Sequence, residues 1–254
     1  MSSAGAPEIP RELARLLRDA GRVTVLTGSG VSAESGVPTF REAQTGLWDG
    51  FDPQQLATPE AFDRDPRLVW EWYAWRRSLV SVAEPNPAHR ALAELEGMVP
   101  ELTLVTQNVD GLHQRAGSRS VVELHGNILR SKCSWEGVIV EPGDHDESVP
   151  PLCPGCGAYL RPDVVWFGEM LPAAAMEAAS EAARGCDVFL SVGTSSLVYP
   201  AAALPYEALE NGATVVEVNP SETPLTGDAD HALRGMAGEV MPELLRLTFA
   251  SPNL

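Results

Sequence analysis

The chain has 254 residues, of which 44% are hydrophobic, and a formal net charge of -17 at pH 7. This length and apolar content allow one large domain or a core domain with a small module, and they exclude wholesale disorder. The acidic balance argues against nucleic acid as the main partner, because nucleic-acid-binding proteins usually carry a basic surface. The first residues lack the pattern of a signal peptide, and no run of about 18 apolar residues occurs. We therefore expect a cytoplasmic protein without a membrane partner.

Apolar residues occur along the chain either in short continuous runs or at helical spacing. The continuous runs predict buried strands at residues 23–26, 102–106, 121–124, 187–192 and 214–218. Helical spacing predicts helices at residues 9–20, 59–83, 88–96, 173–183, 201–211 and 236–247. Short strands that alternate with helices predict an α/β fold with a doubly wound, mainly parallel, Rossmann-like sheet.

Three of the four cysteines lie in residues 127–163, a stretch with few apolar runs that we interpret as a small inserted module. Cys153 and Cys156 form a C-x-x-C pair, and Cys133 lies upstream. Their clustering, in a chain without an export signal, favours metal binding over disulfides. The fourth cysteine, Cys186, precedes an apolar strand and is expected to be a buried core residue.

A glycine-rich loop follows the first predicted strand and carries Gly28, Gly30 and Ala33 in a G-x-G-x-x-A pattern. Glycines at these positions let the backbone approach a pyrophosphate, whose charge a following helix N-terminus stabilises. The alternative is a tight strand-to-helix turn that binds nothing. The usual dinucleotide fingerprint also needs an acidic residue about 20 positions later, at the end of a second strand. That strand and its acid are missing from this part of the sequence.

Polar or glycine-rich residues recur after the predicted strands. In parallel sheets, ligands bind at the carboxyl ends of the strands, so these residues should share one edge. This recurrence favours a ligand site over an empty turn. The residues are Gly28 and Gly30, then Gln107, Asn108 and Asp110, then His125, then Gly193, Thr194 and Ser195, and finally Asn219.

His125 directly follows the third predicted strand and therefore lies at the same edge. Imidazole titrates near neutral pH, so His125 is our candidate general base. The other histidines, His89, His113, His145 and His231, lack this placement and are expected to be structural.

Seven motifs occur in an order that resembles the sirtuins, the NAD-dependent protein lysine deacylases. They are GSGVSAESGVPTFR (28–41), TQNVDGLH (106–113), ELHG (123–126), CPGCG (153–157), VVWFGE (164–169), VGTS (192–195) and EVN (217–219). The resemblance implies an NAD-binding Rossmann-like domain of residues 8–42, 86–126 and 164–249. It also implies a small domain with a helical part, residues 43–85, and a zinc-binding part, residues 127–163.

The resemblance further implies the residues that bind NAD. The stretch 28–41, with Ser29, Ser32, Ala33, Phe40 and Arg41, would hold the pyrophosphate and cover the nicotinamide ribose. Gln107, Asn108 and Asp110 would bind the ribose and the carboxamide, and Asn108 would share the catalytic role with His125. Gly193, Thr194 and Ser195 would contact the adenine-side ribose and phosphate, Asn219 would replace the missing acid, and Ala237 would lie against the adenine. His125 would act as general base on the ribose hydroxyls, and the products would be free lysine, nicotinamide and 2'-O-acyl-ADP-ribose.

The implied partners are acyl-lysine proteins or peptides, with Val164, Val165, Trp166 and Phe167 pairing by backbone with the extended peptide. Tyr73 and Arg76 are three positions apart in a predicted helix, so they share one face. An arginine and a tyrosine hydroxyl can together bind a carboxylate. The pattern that they form resembles the sirtuin class that removes succinyl, malonyl and glutaryl groups. The alternative is a packing helix with a solvated arginine. Deacetylation is expected as a second activity.

The metal module departs from the family pattern of two C-x-x-C pairs, because Glu136 stands where the second cysteine of the first pair would fall. Cys133, Cys153 and Cys156 are expected to bind a structural zinc, and the fourth ligand, Glu136 or His145, stays open. Two other functions are compatible with the scaffold: an NAD-dependent ADP-ribosyltransferase and a non-catalytic NAD-sensing interaction module.

Overall fold

The computed structural model describes residues 8–37, 56–140 and 148–249. In these ranges the strands are β1 (Arg22–Thr27), β2 (Glu101–Thr106), β3 (Val121–Glu123), β4 (Gly126–Cys133), β5 (Ile139–Val140), β6 (Leu160–Val164), β7 (Val188–Val192), β8 (Thr214–Val218) and β9 (His231–Leu233). Six of them form one sheet in the order β3-β2-β1-β7-β8-β9, with every neighbouring pair parallel. The predicted α/β fold with a doubly wound parallel sheet is confirmed.

The helices in the same ranges are α1 (Arg11–Asp19), α2 (Ser29–Ser32), α3 (Pro59–Arg64), α4 (Pro66–Val82), α5 (Pro87–Glu96), α6 (Leu112–Ala116), α7 (Ala173–Gly185), α8 (Leu204–Glu210) and α9 (Ala237–Phe249). None of them is both long and apolar enough to cross a bilayer. The prediction of one helix over residues 59–83 is wrong, because the helix is interrupted at Asp65. This residue precedes a proline, which disfavours helical backbone, and its carboxylate accepts a hydrogen bond from the Leu68 N–H to start α4.

The sheet has a hydrophobic cluster on each face, as a doubly wound fold requires. One cluster includes residues of α1, α5 and α9, and the other includes residues of α7 and α8. Alternate β1 residues serve the two clusters: Val25 lies in the first and Leu26 in the second. Because both faces are covered, the strands are buried on both sides, and only their ends are open to a ligand.

A second, antiparallel sheet has the order β5-β4-β6. These short strands lie largely in residues 127–163, the stretch that we interpreted as a small inserted module, and they carry Arg130, Lys132 and Arg161 between their apolar positions. A third hydrophobic cluster joins α3 and α4 to Ile128, Val164 and Trp166. The domain limits given above remain a prediction, and the limit after residue 42 lies outside the described residues.

Candidate active site

The glycine loop lies where the strand order reverses, between β1 and β7. The Gly30 N–H donates to the Gly193 carbonyl across this point, at 2.8 Å. A Cβ atom on Gly30 would lie 2.7 Å from the Gly193 oxygen, and one on Gly28 would lie 2.9 Å from Thr194 Cα. The two strand-end loops can therefore approach only because both positions are glycine. Open α/β sheets bind ligands at such a reversal.

A polar network centred on Ser32 lies beneath the loop. Ser32 Oγ donates to Asp110 Oδ2 at 2.7 Å and accepts from Asn108 Nδ2 at 3.1 Å. Asn108 Nδ2 also donates to the Gly28 carbonyl at 3.0 Å, which ties the end of β2 to the loop after β1. Burial raises the pKa of Asp110, and hydrogen bonds from Leu112 and Ser32 oppose that rise.

Two buried histidines, His89 and His113, stand below this network with their ring centres 4.9 Å apart. His89 Nδ1 accepts from the Asn86 backbone N–H at 3.3 Å, so its Nε2 carries the proton and faces Ser32 Oγ at 3.4 Å. His113 Nε2 bonds to Thr27 Oγ1 at 2.9 Å, and its buried Nδ1 has no hydrogen-bond partner in the described part of the chain. Burial lowers the pKa of His89 to about 4 and that of His113 to about 3. Both rings are therefore neutral at physiological pH.

His125 is half-buried at the end of β3, at the same sheet edge. Its Nδ1 lies 2.8 Å from the Gln107 carbonyl. A carbonyl can only accept, so Nδ1 carries the proton and Nε2 keeps the lone pair of the neutral ring. Burial lowers the pKa of His125, and the bond to Gln107 partly opposes that shift. The geometry thus presents a neutral, oriented imidazole base.

The predicted residues on the β7 and β8 side also meet. Gln107 Nε2 donates to Thr194 Oγ1 at 3.0 Å, and Asn219 Nδ2 donates to the Thr194 carbonyl at 2.8 Å. Ser195 is exposed at this edge, as are Ser29 and Ala33 in the glycine loop. Amides and hydroxyls can bond the hydroxyl groups of a ribose and a carboxamide, so this set fits the two ends of NAD.

The last helix reaches the same loop through a contact that the sequence did not reveal. Ala237 is buried at the first position of α9, and the N–H of the next residue, Gly238, donates to Glu34 Oε2 at 2.7 Å. A carboxylate is favoured at a helix N-terminus, where backbone N–H groups lack partners. Glu34 therefore joins the loop after β1 to the helix that carries Ala237.

Tyr73 and Arg76 lie on α4 beside the segment that follows β6. Tyr73 is buried, and its Oη accepts a hydrogen bond from Trp166 Nε1 at 3.0 Å. The Arg76 guanidinium stacks over the Trp72 ring at 5.0 Å and over the Tyr73 ring at 5.8 Å. Burial lowers the pKa of Arg76. The two residues share a face as predicted from their spacing, but Trp166 was not foreseen as the partner of the phenol.

The backbone of residues 164–167 is largely engaged inside the chain. The Val165 N–H donates to the His125 carbonyl at 3.0 Å, and the Phe167 N–H donates to the Ala57 carbonyl at 2.9 Å. The Trp166 N–H donates to a carboxylate oxygen of Glu169 at 2.7 Å. A peptide that pairs with this segment must therefore use other groups, such as the carbonyl of Val165.

Cys133, Glu136, Cys153 and Cys156 form a cluster whose ligand atoms all lie within 4.8 Å of one another. The Cys133 and Cys156 sulfurs are 3.4 Å apart. A tetrahedral zinc with Zn–S bonds of about 2.3 Å separates its ligand atoms by about 3.8 Å, so the four residues fit a zinc ion. Three predicted positions, Phe40, Arg41 and His145, lie outside the described residues.

Known proteins of one family resemble this chain. The model of the Sir2 family matches residues 28–200. The NAD-dependent protein deacylase of Methylococcus capsulatus is 53% identical over 247 residues, which cover 94% of this chain and 97% of that protein. A solved mutant Sir2 homologue in complex with 2'-O-acetyl ADP ribose has a TM-score of 0.88 at 47% identity and covers 97% of this chain and 99% of its own. A Sir2 complex with a p53 peptide and NAD+ has a TM-score of 0.80 at 32% identity and covers 94% of this chain and 98% of its own.

Proposed function

The chain belongs to the Sir2 family, and we propose that it is an NAD-dependent protein deacylase that removes succinyl, malonyl and acetyl groups from protein lysines. The observation that carries the proposal is the placement of His125 at the same edge of the parallel sheet as the glycine loop. Its Nδ1 is bound to the Gln107 carbonyl at 2.8 Å, and its Nε2 is available as a base. The relatives are named as NAD-dependent protein deacylases, and one solved neighbour is a complex with a peptide and NAD+.

The residues at the sheet edge would hold three parts of NAD. Gly28 and Gly30 would admit the pyrophosphate, and Thr194 and Asn219 would bind the adenine-side ribose. Asn108 and Asp110 would bind the nicotinamide end. Bound NAD supplies a glycosidic carbon that loses nicotinamide and accepts the acyl oxygen of the substrate. The chemistry left to the chain is to bind, to orient and to move one proton.

His125 would accept that proton. In the neutral ring, Nε2 would take it from a ribose hydroxyl, whose oxygen would then bond to the acyl carbon. One water would complete the balance by releasing the lysine amine, so that the products would be free lysine and 2'-O-acyl-ADP-ribose. The Gln107 carbonyl stabilises the charge that develops on the imidazole, because Nδ1 donates to it throughout. Asn108, held to the Gly28 carbonyl and to Ser32, would orient the reacting ribose from the other side.

The preference for acidic acyl groups rests on Tyr73 and Arg76. The Tyr73 phenol already accepts from Trp166, so its proton and the half-buried Arg76 guanidinium are the donors of this pair, and a carboxylate offers only acceptors. Succinyl and malonyl groups carry that carboxylate, whereas an acetyl group carries a methyl. Removal of the acidic acyl groups should thus depend on Arg76 more than deacetylation does.

The cysteine cluster would hold a structural zinc through Cys133, Cys153 and Cys156, with the Glu136 carboxylate as the fourth ligand. The metal would fix the loops of the small antiparallel sheet, and no step of the reaction needs it. His145 is the alternative fourth ligand.

The experiment is the incubation of the purified protein with a succinyl-lysine peptide, with and without NAD, followed by mass spectrometry. We expect free lysine, nicotinamide and 2'-O-succinyl-ADP-ribose only when NAD is present. Arg76→Met should lower kcat/KM on the succinyl peptide at least tenfold more than on the matching acetyl peptide, because a charged hydrogen bond is lost. Equal activity without NAD would overturn the mechanism, and equal losses on both peptides would overturn the acidic-acyl preference.

A further inference from the structure

We propose that Trp166 is a specificity-positioning residue that fixes the direction of the Tyr73 hydroxyl, so that the phenol can only donate to the acyl group. This inference rests on the proposed deacylase function and concerns the choice among acyl groups. It assigns to the Trp166 side chain a role distinct from the backbone pairing predicted from the sequence.

The hydrogen bond between the two side chains has only one possible direction. The indole nitrogen is a donor and never an acceptor, so Tyr73 Oη accepts in its 3.0 Å contact with Trp166 Nε1. Burial raises the pKa of Tyr73 to about 12, so the phenol keeps its proton at neutral pH. Within the described residues, this is the one hydrogen bond that Tyr73 Oη makes. Its proton therefore remains available for a second acceptor.

The indole is held in place by two neighbouring side chains and by its own backbone. The Arg161 guanidinium lies 3.3 Å from the ring centre, and the Phe62 ring centre lies 5.3 Å away. Arg161 is itself fixed by two hydrogen bonds to Glu169, at 2.5 and 2.9 Å. Glu169 also accepts from the Trp166 backbone N–H at 2.7 Å. A ring held at so many points cannot turn its N–H away from Tyr73.

The consequence is that Tyr73 offers its proton to the acyl group. The Tyr73 proton and the Arg76 guanidinium can both bind a carboxylate, while an acyl methyl group leaves the buried phenol unsatisfied. Without the indole N–H, Tyr73 Oη could accept from another donor and turn its proton elsewhere. Trp166 thus raises discrimination for acidic acyl groups without touching the acyl group itself.

The test compares kcat/KM for succinyl-lysine and acetyl-lysine peptides in the wild type and in Trp166→Phe. We expect the succinyl-to-acetyl ratio of kcat/KM to fall about fivefold or more, as for the loss of one buried hydrogen bond. The fall should come from a higher KM for the succinyl peptide. In a Tyr73→Phe background the same substitution should leave the ratio unchanged, because the phenol is absent. A second variant carries 3-benzothienylalanine at position 166, which keeps the indole shape and replaces the N–H by sulfur, and it should reproduce the fall.

Phe62→Leu is the matched control, because Phe62 packs on the same indole but makes no hydrogen bond to Tyr73. It should lower both activities together or neither. The inference is overturned if Trp166→Phe and the sulfur isostere leave the ratio unchanged, or if Phe62→Leu lowers the ratio equally. A wild type that deacetylates with NAD but does not desuccinylate overturns the acidic-acyl preference and this inference together. If the wild type desuccinylates but Trp166→Phe leaves the succinyl-to-acetyl ratio unchanged, this inference alone is overturned.

Discussion

Lowering the pH from 7.5 to 5.0 should destabilise the folded chain by about 2 kcal/mol for each of its two buried histidines, His89 and His113. Burial lowers the pKa of His89 to about 4 and that of His113 to about 3, from an ordinary value of 6.5. As the pH falls below 6.5 the unfolded chain takes up these protons and the folded chain does not. Stability is therefore complete above pH 6.5 and is lost as the pH falls.

The magnitude at pH 5.0 depends on the unfolded pKa alone, because both folded values lie below that pH. Each pH unit below 6.5 costs about 1.36 kcal/mol per histidine, so the pair costs about 4 kcal/mol. A domain is typically stable by about 5–15 kcal/mol, so the loss is a large share of the total. Neither side chain is more than 1% exposed, so solvent screens little of this cost.

The assay is urea unfolding followed by circular dichroism at both pH values. His113→Gln cannot titrate but can still bond to Thr27 Oγ1, so its free energy of unfolding should fall by about 2 kcal/mol less than that of the wild type. Thr27→Val is the control: it removes a partner of His113 and keeps the ring, so it should be less stable at both pH values with the full pH dependence.

Asp110 also contributes to the pH dependence, but its contribution cancels in this comparison. The pKa of Asp110 is raised, so the folded state takes up that proton more readily and Asp110 contributes stability as the pH falls. This contribution is common to the wild type and to both variants. The same pH dependence in the wild type and in His113→Gln would refute the reasoning, since it would mean that burial does not oppose protonation of His113.

Three further predictions concern the site. His125→Ala should lose at least about 100-fold in turnover and still bind NAD by calorimetry, and normal turnover would remove His125 from its role. Because burial lowers the pKa of His125, the acid limb of wild-type kcat/KM should lie below pH 6.5. Gly30→Ala places a Cβ 2.7 Å from the Gly193 oxygen, so it should lower Tm and raise KM for NAD, and unchanged values would contradict the close approach of the two loops. Glu136→Ala should weaken zinc binding at least tenfold in chelator competition and Glu136→Cys should restore it, whereas unchanged affinity would exclude Glu136 as a ligand.

The parallel sheet was predictable because its strands are covered on both faces. Continuous apolar runs such as residues 188–190 indicate strands that are buried on both faces, and the carboxyl ends of parallel strands must share an edge. That topology alone brought the Gly28–Gly30 loop, Gln107 and Asn219 into one region. The helix predicted at residues 88–96 begins one residue earlier, at Pro87, where the Asn86 side chain caps α5.

Contacts between distant positions could not be read in the same way. Trp166 and Tyr73 are separated by 93 residues, and no local pattern links an indole to a phenol at that distance. The break at Asp65 was missed because apolar residues continue at helical spacing on both sides of it. The pairing of Glu34 with Gly238, separated by 204 residues, likewise depends on how the loop after β1 meets α9 at the edge of the sheet.

The proposed site has two walls that different parts of the chain build, and they are in contact: Val109, at the sheet edge, packs against the third hydrophobic cluster, which includes Tyr73 and Trp166. The NAD wall is the edge of the parallel sheet, and the acyl wall is α4 with the segment after β6. The Val165 N–H donates to the His125 carbonyl at 3.0 Å and connects the acyl wall to the base. Because the two walls would bind different ligands, we expect changes at Arg76 or Trp166 to alter KM for the acyl peptide but not for NAD, and Gly30→Ala to do the reverse.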